Sequence, residues 1–157
     1  MRMREMSANI DELSRVVLSA NRKGLFRQKP VFKAYAKVST GELKSLETKV
    51  GASVPTSLRD WLLTVGYGDI DEELSFREEW FAAIEKGQLK GGTRFAQDVL
   101  GNFYAFDSAG CIYFLSRSEP VFAVMAKDFL EFVGELVRRD YKLGAWVETL
   151  ETQKYEW

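Results

Sequence analysis

LETKVGASVPTSLRDWLLTVGYGD, residues 46–69, and FAQDVLGNFYAFDSAGCIYFL, residues 95–115, decide how this chain folds. The first reads as the end of one helix followed by a second. Leu43, Leu46 and Val50 form an apolar stripe, Ser39 with Glu42 makes a capping box ahead of it, and Gly51 closes the helix. Val54-Pro55 restarts the chain, because proline suits a first helical position where its missing N–H would have no helical partner. Leu58, Trp61, Leu62 and Val65 then recur at i, i+3, i+4 and i+7, a core-facing stripe that Gly66-Tyr67-Gly68 ends. The second stretch changes period. Aromatic and β-branched residues predict strands over 93–96, 102–106, 111–115 and, just beyond it, 121–125. Gly101, the Asp107-Ser-Ala-Gly110 run and residues 116–120 supply turns between them, and such short connections favour antiparallel hairpins.

Outward from these stretches the pattern continues. Ile10, Leu13 and Val17 predict a helix over 7–20 with Ser7 as its cap. Residues 21–30, basic and polar with Gly24 and Pro30, read as a loop, and 31–38 as a short extended piece. Ser75 with Glu78 is a second capping box, predicting a short helix that carries Trp80, Phe81 and Ile84 and closes at Gly87. Asp128 with Glu131 is a third, opening a helix that buries Phe129, Phe132, Val133 and Leu136 and sets Arg138 and Arg139 at its C-terminal dipole. Leu143, Trp146 and Leu150 predict a last amphipathic segment within 141–157. No repeat, linker or low-complexity tract interrupts the chain. The fold class expected is α+β: a single domain, a twisted, mostly antiparallel sheet with helices packed around it.

Composition bounds the function. At 157 residues and 46% hydrophobic, with four Trp and eleven Phe, the chain is long and apolar enough to bury a core without staples. A formal charge of −1 lacks the basic footprint of a general nucleic-acid binder. The charge is uneven, however: residues 1–40 hold nine Lys/Arg against three Asp/Glu, so the remainder of the chain is acidic. Within it, Asp69, Asp71, Glu72, Glu73, Glu78 and Glu79 face only Arg77 between residues 69 and 79. A solvated loop is the plain reading of that run; the functional one is a negative surface that steers a basic partner. A lone cysteine fits a reducing compartment, and Cys111, within an apolar run, reads as a small buried hydrophobe. The N-terminus lacks the apolar core of a secretory signal and no apolar run approaches membrane-spanning length, so a cytoplasmic protein without membrane contact is expected.

Residues for chemistry are scarce. The absence of histidine removes the common general base, the common zinc ligand and every Ser-His or Cys-His pair. No phosphate-cradling loop or thiolate cluster is present, and neither cofactor nor metal is expected. Asp98 and Asp107 leave carboxylate catalysis open, although both sit at turn positions where aspartate commonly bonds its own backbone. Phe103, Tyr104, Phe106, Tyr113 and Phe114 are ring types that can stack bases, but alternation sends part of the set into a core. No Lys or Arg lies between residues 95 and 116 to track a phosphate backbone, so direct nucleic-acid binding is not expected.

Taken in order, these motifs resemble the SUKH superfamily, in its Smi/Knr-type branch. The resemblance is carried by Leu46-Glu47, Gly51, Val54-Pro55, Trp61-Leu62 and Gly66 to Gly68, then Phe95-Ala96, Asp98, Gly101-Asn102, Phe103 to Phe106, and finally Asp128-Phe129 with Phe132. It spans roughly residues 39–137. Val54 stands in place of the usual Leu, and Tyr67 interrupts the glycine pair. The resemblance divides the chain into a basic N-terminal helix and connecting segment, 1–38, and a SUKH-like α+β domain, 39–157, expected as one compact unit. It implies no catalytic activity and a bacterial immunity protein, which binds and neutralises a cognate toxin domain, a nuclease or another nucleic-acid-directed enzyme. The alternative is an intracellular scaffold or interaction protein without a toxin partner. For the toxin partner, the expected binding residues are Tyr67, Asp69, Asp71, Glu72, Glu73, Glu78, Glu79 and Trp80, where exposed aromatics can anchor and carboxylates can steer.

Overall fold

The computed structural model describes residues 9–23 and 28–156. Helix α1 (Ile10–Ser19) is followed by a small hairpin of β1 (Asn21–Lys23) and β2 (Gln28–Pro30), then by β3 (Phe32–Ala36). Helices α2 (Thr40–Val50) and α3 (Thr56–Thr64) lead into β4 (Tyr67–Ile70) and β5 (Leu74–Phe76). A single 3-10 turn (Glu78–Trp80) precedes β6 (Ala82–Ala83), and β7 (Thr93–Asp98), β8 (Phe103–Phe106), β9 (Ile112–Leu115) and β10 (Val121–Ala126) run on as a meander. Helices α4 (Phe129–Arg138) and α5 (Leu143–Glu148) and strand β11 (Gln153–Lys154) complete the described chain. The main sheet has nine strands in the order β11-β10-β9-β8-β7-β5-β4-β3, with β6 also on β7. Every pairing among the described residues is antiparallel. The architecture is α+β.

The local signals explain most of these elements. Ser39 Oγ accepts from Glu42 N at 3.1 Å while Ser39 N donates to Glu42 Oε1 at 2.9 Å, a reciprocal box that starts α2. At α4, Asp128 accepts from Glu131 N at 2.8 Å, but the return bond comes from Lys127 N, one residue earlier than a strict box. Helix α1 is capped by Asn9 in the same reciprocal manner with Glu12; Ser7, the expected cap, lies outside the described residues. Helix α3 starts at Thr56, so Pro55 occupies the cap rather than the first helical turn.

Three expectations are corrected. The helix predicted from Ser75 to Gly87 does not form: Ser75 and Phe76 belong to β5, and one 3-10 turn stands where the helix was expected. Phe76 and Phe81 are five apart, which places them about 140° apart around a helix, yet both are fully buried beside Phe95. The extended chain lets both reach that one core, and its backbone bonds go to β7 instead. Residues 21–30, expected as a loop, hold the β1–β2 hairpin wherever they are described, closed by Val31 N donating to Ala20 O at 2.9 Å; Gly24 lies outside the described residues. The acidic run, read as a loop, is a hairpin of β4 and β5. Its turn puts Asp71 (φ 52°) and Glu72 (φ 59°) in the left-handed region, with Glu73 N donating to Ile70 O at 3.0 Å. Ile70 pairs with Leu74, so the loop holds three residues, and its two central turn positions, Asp71 and Glu72, take the left-handed region that Asn-Gly or Asp-Gly normally announces.

Side-chain alternation splits the sheet into unlike faces. Tyr104, Phe106, Ile112 and Phe114 point toward the helices and join the main core, which also takes Val17 of α1 and Phe32 of β3. The N-terminal elements are thus built into the same core as the rest. Phe103, Ala105, Tyr113, Leu115 and Phe122 point the other way, where Ile84, Leu89 and Tyr155 cover them.

Candidate functional site

The residues expected to meet a partner are divided by the β4–β5 hairpin. Tyr67, Glu78 and Glu79 gather at one end, where with Tyr35, Ala36, Lys37, Glu42 and Arg77 they line a shallow groove of about 300 Å³. Trp80 joins them through Arg77, whose guanidinium lies 5.3 Å from the Trp80 ring and 4.6 Å from the Tyr35 ring. Arg77 also donates to Tyr35 O–H at 3.2 Å and to Ser75 Oγ at 3.4 Å, so one cation contacts both rings. Tyr35 in turn donates to Asp69 Oδ2, and the other oxygen of Asp69 is buried without a partner.

Tyr67 forms the floor. Its ring packs edge-on against Phe81 at 6.4 Å, while half-burial, with the charges of Glu78, Glu42 and Glu79, pushes its phenol up to about 12. The charges of Glu78, Glu42 and Glu79 each disfavour the ionised phenolate, behind the larger effect of burial. Glu42 belongs to this groove although it caps α2. The hydrogen bonds from Ser39 hold its carboxyl below the usual range.

Asp71, Glu72 and Glu73 sit at the far end of β4, roughly 13 Å away at 3.3 Å per residue. Two of these carboxylates are committed to architecture. Arg22 donates from Nε to Asp71 Oδ1 at 3.1 Å and from Nη2 to Asp71 Oδ2 at 3.0 Å, and Nη1 reaches Asp140 at 3.0 Å. That guanidinium ties the β1–β2 hairpin to two turns whose residues have positive φ, Asp71-Glu72 and Asp140-Tyr141. Glu73 Oε1 accepts from Gly144 N at 3.3 Å near the start of α5. Only Glu72 of the three stands fully exposed. The sequence missed Tyr35, Lys37 and Glu42 as site residues because they reach the groove from β3 and α2, and no local pattern links them to residues 67–80. The lone base in an acidic run was the one visible sign of Arg77.

The aspartates considered for catalysis hold turns. Asp98 accepts from Leu100 N at 2.9 Å, Asn102 N at 3.0 Å, Asn102 Nδ2 at 3.1 Å and Tyr104 O–H at 2.7 Å. Asp107 accepts from Ala109 N and Cys111 N, each at 3.0 Å, and from Tyr113 O–H at 2.9 Å. Cys111 donates its thiol to Ala126 O at 3.3 Å, and burial pushes that thiol up, away from a thiolate. Among the described residues no group of three His, Cys, Asp or Glu is placed to hold a metal ion, and no helix is long and apolar enough to cross a membrane.

Comparison of the chain with family profiles, with curated proteins and with solved structures finds no match.

Proposed function

We propose that this protein is a non-catalytic immunity protein that acts in the cytoplasm, binding a cognate bacterial toxin domain through the groove at the Tyr67 end of the β4–β5 hairpin. The observation that carries the reading is the Tyr35–Arg77–Trp80 stack beside Tyr67, rimmed by Glu42, Glu78 and Glu79. Rings fixed before binding lose little entropy on contact, which is what a protein-binding anchor requires. Exposed carboxylates around them raise the association rate of a basic partner and occupy the positions that substrate phosphates take on a nuclease. The motif order that resembles the SUKH superfamily supports the same class of function.

The test is co-expression with the toxin domain encoded beside this gene. Cells carrying both are expected to grow, and the purified pair to bind. Trp80→Ala should weaken that complex by about 2 kcal/mol, roughly thirtyfold, as an aromatic hot spot does. A Glu78→Lys/Glu79→Lys pair should chiefly slow association and flatten its salt dependence. Death of the co-expressing cells with no complex formed refutes the reading. A complex indifferent to both variants refutes the groove.

A further inference from the structure

The second face of the sheet carries a groove that the toxin-binding reading does not use. It holds about 280 Å³ and is lined by Ala83, Ile84, Glu85, Lys86, Arg94 and Leu115. Leu115 is the sheet residue with an aliphatic side chain that lines it, opposite Phe103 in the β8–β9 register, and Arg94 lies opposite Ala105 in the β7–β8 register. Arg94 is the polar feature within it. The strand that bears it is paired on both sides, with Ala82 of β6 and Ala105 of β8, and its guanidinium lies 4.5 Å from the Phe103 ring. Backbone and stem are therefore fixed. Yet no carboxylate among the described residues forms an ion pair with Arg94, and no described hydrogen bond uses its five N–H groups. Glu85 and Lys86 stand exposed on the rim with opposite charges, so the guanidinium sets the sign of the interior.

The wall is equally fixed. Gly87, at φ 86°, packs against Tyr155 so closely that an added Cβ would lie 2.4 Å from the ring. Tyr155 donates to Lys86 O, Gln88 Nε2 donates to Lys154 O at 2.7 Å, and Glu156 N donates to Gln88 Oε1 at 2.8 Å. Ile84 is held by Gly92, its N donating to Gly92 O at 2.8 Å. A preformed apolar groove with one oriented guanidinium has the composition of a small-molecule site. The planar fork matches a carboxylate bidentately, which selects the ligand's charged end.

We propose that this groove binds a small apolar monocarboxylic acid, its carboxylate on the Arg94 fork and its hydrocarbon against Ile84, Leu115 and Ala83. The groove is open on one side, and its volume sets the scale of the probe. At ~30 Å³ for each water-sized group, 280 Å³ accommodates a ligand of about nine or ten heavy atoms. Octanoate is such a probe. The experiment titrates octanoate, and separately octanamide, into the full-length protein while following the methyl resonances of Ile84 and Leu115. Octanoate is expected to shift both sets saturably and to bind at least tenfold more tightly than the neutral amide. Arg94→Met, which keeps the stem over Phe103, should lose at least tenfold in octanoate affinity with its melting temperature unchanged. Arg94→Lys, which keeps the charge but not the fork, should fall between the two. Silent methyls, equal binding of acid and amide, or an Arg94→Met protein that binds octanoate like the parent each overturn the proposal. So does a leucine-ended tetrapeptide that outbinds octanoate tenfold, since the occupant would then be a chain end and not a free acid. None of these outcomes depends on the toxin complex, so the groove and the immunity function stand or fall separately.

Discussion

The two faces of the nine-stranded sheet are filled in different ways. On the helical face, Phe95 stands at the centre of a ring network with contacts to Phe76, Phe81, Phe106, Phe129 and Phe132 at 6.0–6.5 Å. Trp61 and Trp146 extend it through Phe129 and Phe132. Regular elements cover this face, and each contributes a periodic apolar stripe. On the other face a much smaller cluster is covered by a loop and a two-residue strand, held by a glycine approach and a handful of side-chain bonds. Burial of wide periodic surfaces sets the stability of the first face. Individual contacts set the shape of the second, and they leave the Arg94 groove open on it.

Substitutions can break that contrast, starting with the deepest ring. Phe95→Ala should cost about 3–5 kcal/mol, read as a lower urea midpoint with an unchanged slope, because no neighbour can refill a ring-sized void at the network's centre. Tyr155→Ala, its counterpart on the second face, should cost less, about 2–3 kcal/mol, since the lost ring borders a small cluster and one hydrogen bond to Lys86 O goes with it. A Tyr155 loss equal to that of Phe95 would show the second face to be a core in its own right. The smallest effect belongs to the solvent side of α4. There the hydrogen bond from Arg138, with a further one from Arg139, holds the Glu135 carboxyl at about 2, against a desolvation cost that opposes it. A lowered carboxyl stabilises the fold above its ordinary value near 4.5, and that contribution fades as pH falls from there toward 2. Glu135→Gln should therefore lower the unfolding free energy at pH 7 only slightly, by about 0.5 kcal/mol, since Arg138 is largely exposed, and the gap should close by about pH 2. A gap that persists in acid would trace the effect to packing instead of charge.

The fold's legibility followed the same division. Leu58, Trp61 and Leu62, the Ser39–Glu42 box and the meander of strands from Thr93 to Ala126 could be read because each depends on residues within one helical turn or one hairpin. The Ser75–Glu78 motif misled for a complementary reason: a capping pattern is a local preference, and the shared burial of Phe76 and Phe81 against Phe95 overrode it. The β4–β5 turn was missed because Asp71-Glu72 carries no glycine, and Arg22, a residue far away in sequence, holds Asp71 in its positive-φ conformation from outside. Of the site, Tyr67, Glu78, Glu79 and Trp80 were legible as a charged and aromatic cluster close in the chain. Their separation from Asp71, Glu72 and Glu73 was not, because it depends on which way the hairpin runs.

What the sequence by itself determined is the class of fold and the main core: apolar spacing and caps are properties of a few consecutive residues, and burial of the stripes they create leaves few alternatives. Gly66 and Gly68 show where that stops. As letters they only end a helix. In the folded chain Gly68 faces Lys33 O, where an added Cβ would lie 2.3 Å away, and so admits β3 to the sheet edge. The tertiary structure alone decided which charges meet. It paired Asp71 with Arg22, set Arg77 between Tyr35 and Trp80, and left Arg94 with no carboxylate among the described residues. Contacts between residues tens of positions apart are fixed by strand order and register, and no local propensity encodes them.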